Sequence, residues 1–195
     1  MNYPNGKRPR KGTSSQPATR NGFGNRGMTL EDDINATNQY YLDTDKAVIH
    51  KKPVPVQIVN VNYPKRSAAV INEAYFKQAS TTDYNGLYRS RYIDFEAKET
   101  RNKTSFPLAN IHEHQVKHME AIVRHGGICF LIIRFAVHQE TYFFQAEKLF
   151  PYWHDKLRGG KKSVSYQTVK NEGSLIPFGY QARVDYLSII DKLYS

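Results

Sequence analysis

Asp83 is followed thirteen residues later by the triplet Glu96-Ala97-Lys98. Two carboxylates and an ammonium brought to one point can hold a hard divalent cation and manage the charge of a phosphoryl reaction. Mg²⁺ takes oxygen ligands in octahedral geometry and keeps positions open for water and a substrate phosphate, so two carboxylates are the usual protein share. A lysine beside them can orient or help deprotonate the attacking water, or offset charge that builds on the phosphate. Gln115 adds to the set because it falls on a stripe of a predicted helix otherwise made of Ile111, Met119 and Ile122. An unpaired buried amide costs about 1–3 kcal/mol, so such a glutamine needs a metal, a water or a strand carbonyl as its partner.

These side chains meet only if the elements carrying them do. The stretch RYIDFEAKET, residues 91–100, alternates Ile93, Phe95 and Ala97 with Asp94, Glu96 and Lys98, the period of a strand. Taken alone, its charged face reads as an exposed sheet surface laced with ion pairs, and Asp94 as a supporting partner of Lys98 or a nearby arginine. Asn85-Gly86 is a tight-turn signal and predicts a hairpin that folds Asp83 back toward that face. Asn110 with Glu113 at the start and Gly126-Gly127 at the stop bound the helix that carries Gln115. His112, His114 and His118 share that helix; without an HExxH order they read as solvent-facing, against a zinc pair at 114 and 118.

Upstream, Thr29 and Asp32 form a capping-box pattern ahead of Leu30, Ile34 and Tyr41 at helical spacing. The segment after it carries Pro53 and Pro55, which exclude it from the middle of a sheet and make it an edge or a projection. KRSAAVINEAYFKQAS is weakly amphipathic and reads as a helix returning from that projection. ICFLIIRF is apolar on both faces, hence a central strand, and ETYFFQA pairs with it. A helix around DYLSIIDKLY ends the chain. The expected class is α/β, a central mixed sheet flanked by helices.

Composition bounds the partners. The chain has 28 Lys and Arg against 18 Asp and Glu, a net charge of +10, which suits a polyanion. Lys7, Arg8, Arg10, Lys11, Arg20 and Arg26 all precede the first acid, Glu31, in a stretch rich in Gly, Pro, Ser and Asn. Residues 1–28 therefore read as a flexible basic arm able to reach phosphates, and residues 29–195 as one domain. The lone Cys129 sits in an apolar run and reads as a small buried hydrophobe. With no long apolar span and no secretory signal pattern, the expected compartment is the cytoplasm and no membrane partner is implied.

An Asp, a variable gap and Glu-x-Lys resembles the PD-(D/E)xK nuclease superfamily, with Thr82 where that name has proline. The blocks NRGMTLEDDIN, AVIHKKPVPVQIV, YPKRSAAVINEAYFKQASTTDYNGLY, YIDFEAKETRNKTSFPL and GICF, in this order and spacing, closely resemble the RecU family of bacterial Holliday junction resolvases, from about Asn25 to the C-terminus. That resemblance implies a restriction-endonuclease-like fold with a projecting stalk, here about residues 52–78. It also implies a homodimer that makes paired symmetric nicks in four-way junction DNA during homologous recombination and repair, in company with other recombination proteins. Its magnesium ligands fall on Thr81, Asp83, Glu96 and Gln115, and its transition-state lysine on Lys98, leaving Asp83, Glu96 and Lys98 as the catalytic set. Thr81 rests on the resemblance alone. Lys65 and Arg66, near the tip of the stalk, become candidates to contact the open centre of a junction. Rival readings are a non-catalytic DNA-binding or annealing module on a nuclease fold, and a nuclease of the same superfamily acting on duplex DNA.

Overall fold

In a computed structural model, residues 29–64, 69–77 and 81–194 are described. Helix α1 (Leu30–Asp43) starts at Thr29, whose side chain and that of Asp32 satisfy each other's backbone N–H groups, the predicted capping box. Strand β1 (Val48–Lys51) then leads into β2 (Val56–Asn62) and β3 (Val70–Phe76). Among the described residues β2 and β3 pair only with each other, antiparallel from Val56↔Phe76 to Asn62↔Val70, with a register irregularity around Asn60. Val56, Ile58, Val70, Tyr75 and Phe76 remain exposed on this ribbon, which at about 3.3 Å per residue is roughly 20 Å long. Pro53 and Pro55 precede it, outside any ladder, where a missing N–H costs nothing. The helix expected at KRSAAVINEAYFKQAS is instead β3, because its β-branched and aromatic residues find a partner strand that local periodicity does not reveal.

The chain returns as β4 (Tyr84–Tyr88) and β5 (Arg91–Thr100), paired antiparallel from Tyr84↔Phe95 to Tyr88↔Arg91. The turn predicted at Asn85-Gly86 is not there. Arg89 and Ser90 make it, both in the left-handed region with φ of 47° and 63°, the geometry a two-residue hairpin loop requires. Gly86 lies mid-strand opposite Ile49, where a Cβ would sit 2.6 Å from the Ile49 Cα and collide with the Val48 carbonyl oxygen. The glycine serves close approach of β1, which sequence alone cannot distinguish from a turn.

β6 (Ser105–Pro107) and a 3-10 turn (Leu108–Asn110) lead to α2 (Glu113–Arg124). The cap is His112 and not Asn110, since the 3-10 turn takes Asn110 and the box residue three positions into α2 is Gln115. β7 (Ile128–Phe135) runs parallel to β5, with Asp94↔Cys129 and Glu96↔Leu131 in register, so α2 is the crossover between them. β8 (Glu140–Gln145), α3 (Ala146–Leu157), β9 (Ser163–Ser165), α4 (Tyr166–Glu172), β10 (Ser174–Ile176) and α5 (Leu187–Leu193) complete the order. The main sheet is β1-β4-β5-β7-β8-β10, mixed as expected, and β6 pairs with β9 apart from it.

Two cores flank the sheet. One holds Leu30, Ile34, Phe95, Phe130, Phe143 and Ile190 between the sheet and the helices α1 and α5; the other holds Val116, Met119, Leu131, Ile133 and Trp153 against α2 and α3. Cys129 belongs to the second core, and burial pushes its thiol well above the ordinary range, the behaviour of an inert hydrophobe. Asp33 pins α1 to the sheet, with one carboxylate oxygen 2.8 Å from Arg134 on β7 and the other 3.2 Å from Arg183. Among the described residues no helix is long and apolar enough to cross a membrane.

Candidate active site

β5 is buried on both faces. Ile93 and Phe95 enter the α1 core, while Asp94 and Glu96 point to the α2 side at 0% exposure. The exposed, ion-paired surface that the alternation suggested is therefore an interior one, because α2 packs over it. A carboxylate without water is costly, several kcal/mol even after relaxation, so its partners define what it does.

Glu96 has few partners. Its Oε2 accepts the Asp83 backbone N–H at 3.1 Å, which holds the start of β4 against β5. Its Oε1 forms an ion pair with the Lys98 ammonium at 2.5 Å, and among the described residues no other donor reaches it. Burial pushes the Glu96 carboxyl up to about 7; Lys98 opposes that shift, and the neighbouring Asp83 charge adds to it. Glu96 is thus a deeply buried carboxylate held between the Asp83 N–H and the Lys98 ammonium, with the Asp83 carboxylate as its neighbour.

Asp83 itself is half-buried and opens onto a cleft of about 300 Å³ that Thr29, Glu31, Tyr84, Ala97 and Glu99 also line. Thr81 is half-buried two residues earlier and donates to the Thr82 carbonyl at 3.3 Å. Gln115 is 5% exposed, and its Oε1 accepts the His112 backbone N–H at 3.0 Å. It faces β5, since His118, one turn further along α2, reaches Asp94 at 3.2 Å and the helix runs opposite to β5. The carbonyl oxygen of Gln115 keeps a second lone pair after that bond. Asp83, Glu96 and Lys98 are joined directly, through the Asp83 N–H to Glu96 bond and the Glu96–Lys98 ion pair, while Thr81 and Gln115 make their bonds to Thr82 and His112.

Asp94 departs from expectation. It pairs with Lys52 at 2.8 Å and not with Lys98 or an arginine, and it also accepts from Tyr92 at 3.0 Å, from Thr82 and from His118. Lys52 donates at 3.0 Å to Thr82 as well, and its backbone N–H donates to the Asp83 carbonyl at 2.7 Å. This buried hub ties the base of the β2–β3 ribbon to the loop that carries Thr81 and Asp83. Sequence reasoning missed Lys52, which lies 42 residues from Asp94 and belongs to no local pattern. His118 was read as solvent-facing, and its place in the hub corrects that; His112 is exposed and stacks on His114 with ring centroids 5.4 Å apart.

Comparison with known proteins decides the family. The family model described as Recombination protein U matches residues 25–192. The chain belongs to the Recombination protein U family. It is 64% identical over 197 residues to the Oceanobacillus iheyensis protein named Holliday junction resolvase RecU, covering 100% of both chains. The proteins of the same name from Geobacillus kaustophilus and Bacillus subtilis are 59% and 57% identical, with 100% of this chain and 98% and 95% of theirs covered. A solved structure of Archaeoglobus fulgidus Hjc, described as a Holliday junction resolvase, aligns over 72% of this chain and 91% of its own at a TM-score of 0.41 and 10% identity, a likeness too low to bear on function. Within this Recombination protein U chain, the expected DNA contacts Lys65, Arg66, Lys7, Arg8, Arg10 and Lys11 lie outside the described residues.

Proposed function

We infer that the protein is a Mg²⁺-dependent endonuclease that resolves Holliday junctions by paired symmetric nicks, in homologous recombination and DNA repair in the cytoplasm, where bacterial DNA lies. The observation that carries this reading is Glu96, a fully buried carboxylate joined to the Asp83 N–H on one oxygen and to the Lys98 ammonium on the other. The family membership and the names of its close relatives supply the substrate class.

The residues fit a hard cation. Asp83, Glu96, the Gln115 carbonyl and the Thr81 hydroxyl offer oxygen only, with two carboxylates among them, the share Mg²⁺ takes from protein. When bound, Mg²⁺ supplies Lewis acidity toward the scissile phosphate and acidifies water at neutral pH. Glu96 in its ionised form completes the negative set and is held in place by the Asp83 N–H. Lys98, partly exposed beside it, offers a positive charge to the oxygens of the phosphate in the transition state. Hydrolysis by in-line attack of water leaves a 5′-phosphate and a 3′-hydroxyl. Each chain carries one such set, so nicking two opposed strands takes two copies, which supports the homodimer. The apolar exposed ribbon, tied to the site through Lys52, suits insertion at the open centre of the junction.

The test is cleavage of four-way, Y-shaped and linear DNA, each strand labelled in turn, in Mg²⁺ and then in Ca²⁺. Paired nicks of the four-way substrate in Mg²⁺ are expected, and their loss in Asp83→Ala and Glu96→Ala with junction binding retained. Equal cutting of all three substrates, or full activity in either variant, refutes the assignment.

A further inference from the structure

Two loops near the site carry cations that the fold does not use. Arg101 and Lys103 follow Lys98 by three and five residues; Arg158, Lys161 and Lys162 lie in the turn after α3. All five are exposed, and among the described residues none of their side chains forms an ion pair.

The two loops are one surface. β6 and β9 pair from Ser105↔Ser165 to Pro107↔Ser163, the Tyr166 N–H donates to the Thr104 carbonyl at 2.8 Å, and the Leu108 N–H donates to the Lys162 carbonyl at 3.0 Å. Lys103 therefore stands at one end of this short ladder and Lys162 at the other. Four residue steps of extended chain separate the ends, roughly 13 Å, long enough to meet more than one phosphate of a DNA strand. The Lys162 end adjoins the turn that runs into α2 and Gln115, and the Lys103 end continues β5 from Glu96 and Lys98. The patch thus flanks the candidate active site.

Its backbone is held firmly while its charges are left free. The Asp155 carboxylate, the nearest acid in the turn, accepts the Lys161 backbone N–H at 3.1 Å and packs under Gly160, where a Cβ would collide with it; it shapes the loop and neutralises no lysine. Gly159 has φ of 90°, a conformation that favours glycine. On the other side the Asn102 side chain accepts the Thr104 N–H at 3.1 Å and the His138 ring bonds the Lys103 carbonyl at 2.8 Å. Lys156 is different: it donates to the Leu108 carbonyl and lies 3.8 Å from the Trp153 ring centroid, so it is part of the packing. Cations near the end of α3 also suit the helix dipole, yet that effect fades within the last turn and reaches neither Lys162 nor the Arg101 loop.

We propose that Arg101, Lys103, Arg158, Lys161 and Lys162 form a phosphate-binding track for a duplex arm leaving the cleavage site. This rests on the reading that the site acts on DNA. The contacts are to backbone phosphates, so the track adds affinity for any duplex and does not read junction shape.

The experiment measures binding of the full chain to a four-way junction and to linear duplex, in EDTA so that nothing is cut, across a salt series. Lys161→Ala/Lys162→Ala keeps every backbone bond that shapes the loop. Each engaged phosphate contributes about 0.9 to the slope of log affinity against log salt, so the double variant should flatten the slope by roughly 1.8 and weaken binding about 60-fold at 0.1 M salt. The loss should be the same for both DNAs, Arg101→Ala/Lys103→Ala should flatten the slope again, and Lys161→Arg/Lys162→Arg should restore it. An unchanged slope in the alanine variants overturns the track, as does a loss confined to the four-way junction. A wild-type protein that cuts no DNA in Mg²⁺ would instead overturn the functional reading; one that cuts junctions while its slope ignores these residues refutes the track alone.

Discussion

Glu96→Gln isolates the energy held in one buried carboxyl. In the folded metal-free protein this group titrates near 7 in place of its ordinary 4.5, chiefly because burial disfavours the charged form. Below pH 4.5 it is protonated in both the folded and the unfolded states and contributes no difference. Between 4.5 and 7 the folded chain keeps a proton that the unfolded chain releases, so stability falls as pH rises, and above 7 the loss levels off. A shift from 4.5 to about 7, at 1.36 kcal/mol per pKa unit, gives a loss of about 3 kcal/mol. Glutamine has the same shape and does not titrate, so ionisable groups distant from Glu96 cancel in the difference, which reports Glu96 together with its neighbours Lys98 and Asp83. Urea denaturation in EDTA at half-unit steps from pH 4.5 to 8.5 should show wild type losing about 3 kcal/mol relative to Glu96→Gln across that window. Mg²⁺ added at pH 8 should recover stability in wild type and much less in the variant. Parallel stability curves for the two proteins would refute the argument, because they would mean that Glu96 is solvated or compensated in the folded state.

Asp94→Ala should cost about 3–5 kcal/mol in urea denaturation, since it strands Lys52 and the Thr82, Tyr92 and His118 donors around a removed charge; a loss under 1 kcal/mol would mean that the hub is not a stabilising unit. Lys98→Ala should bind junction DNA and cut it on the order of 10²-fold more slowly in single-turnover assays; wild-type rates would reduce Lys98 to the ion-pair partner of Glu96. Gly86→Ala should destabilise by about 1–3 kcal/mol and expose the β1 amides to hydrogen exchange, because the added methyl meets the β1 backbone. A neutral Gly86→Ala would show that β1 can move aside.

The amino-acid sequence determined the parts whose signals are local. Thr29 and Asp32 announce α1 because a capping box closes within four residues, and the run at 128–135 announces a central strand because burial on both faces leaves Arg134 as its single charged position. Asp83, Glu96, Lys98 and Gln115 were legible as a chemical set from residue type and spacing, and the family blocks added Thr81. Tertiary structure decided what depends on residues far apart in the chain. Whether Asp94 and Glu96 face water or the interior was settled by α2 closing over β5, and a period-two alternation is the same in either case. Asp94 found Lys52, 42 residues away, because β1 is drawn beside β4 and β4 beside β5. Asn85-Gly86 has the chemistry of a turn, yet β1 needs a residue without a Cβ at its side, and the chain turns at Arg89-Ser90 instead. Val70–Phe76 became a strand because β2 was there to pair with it, a partnership that no window of the sequence contains.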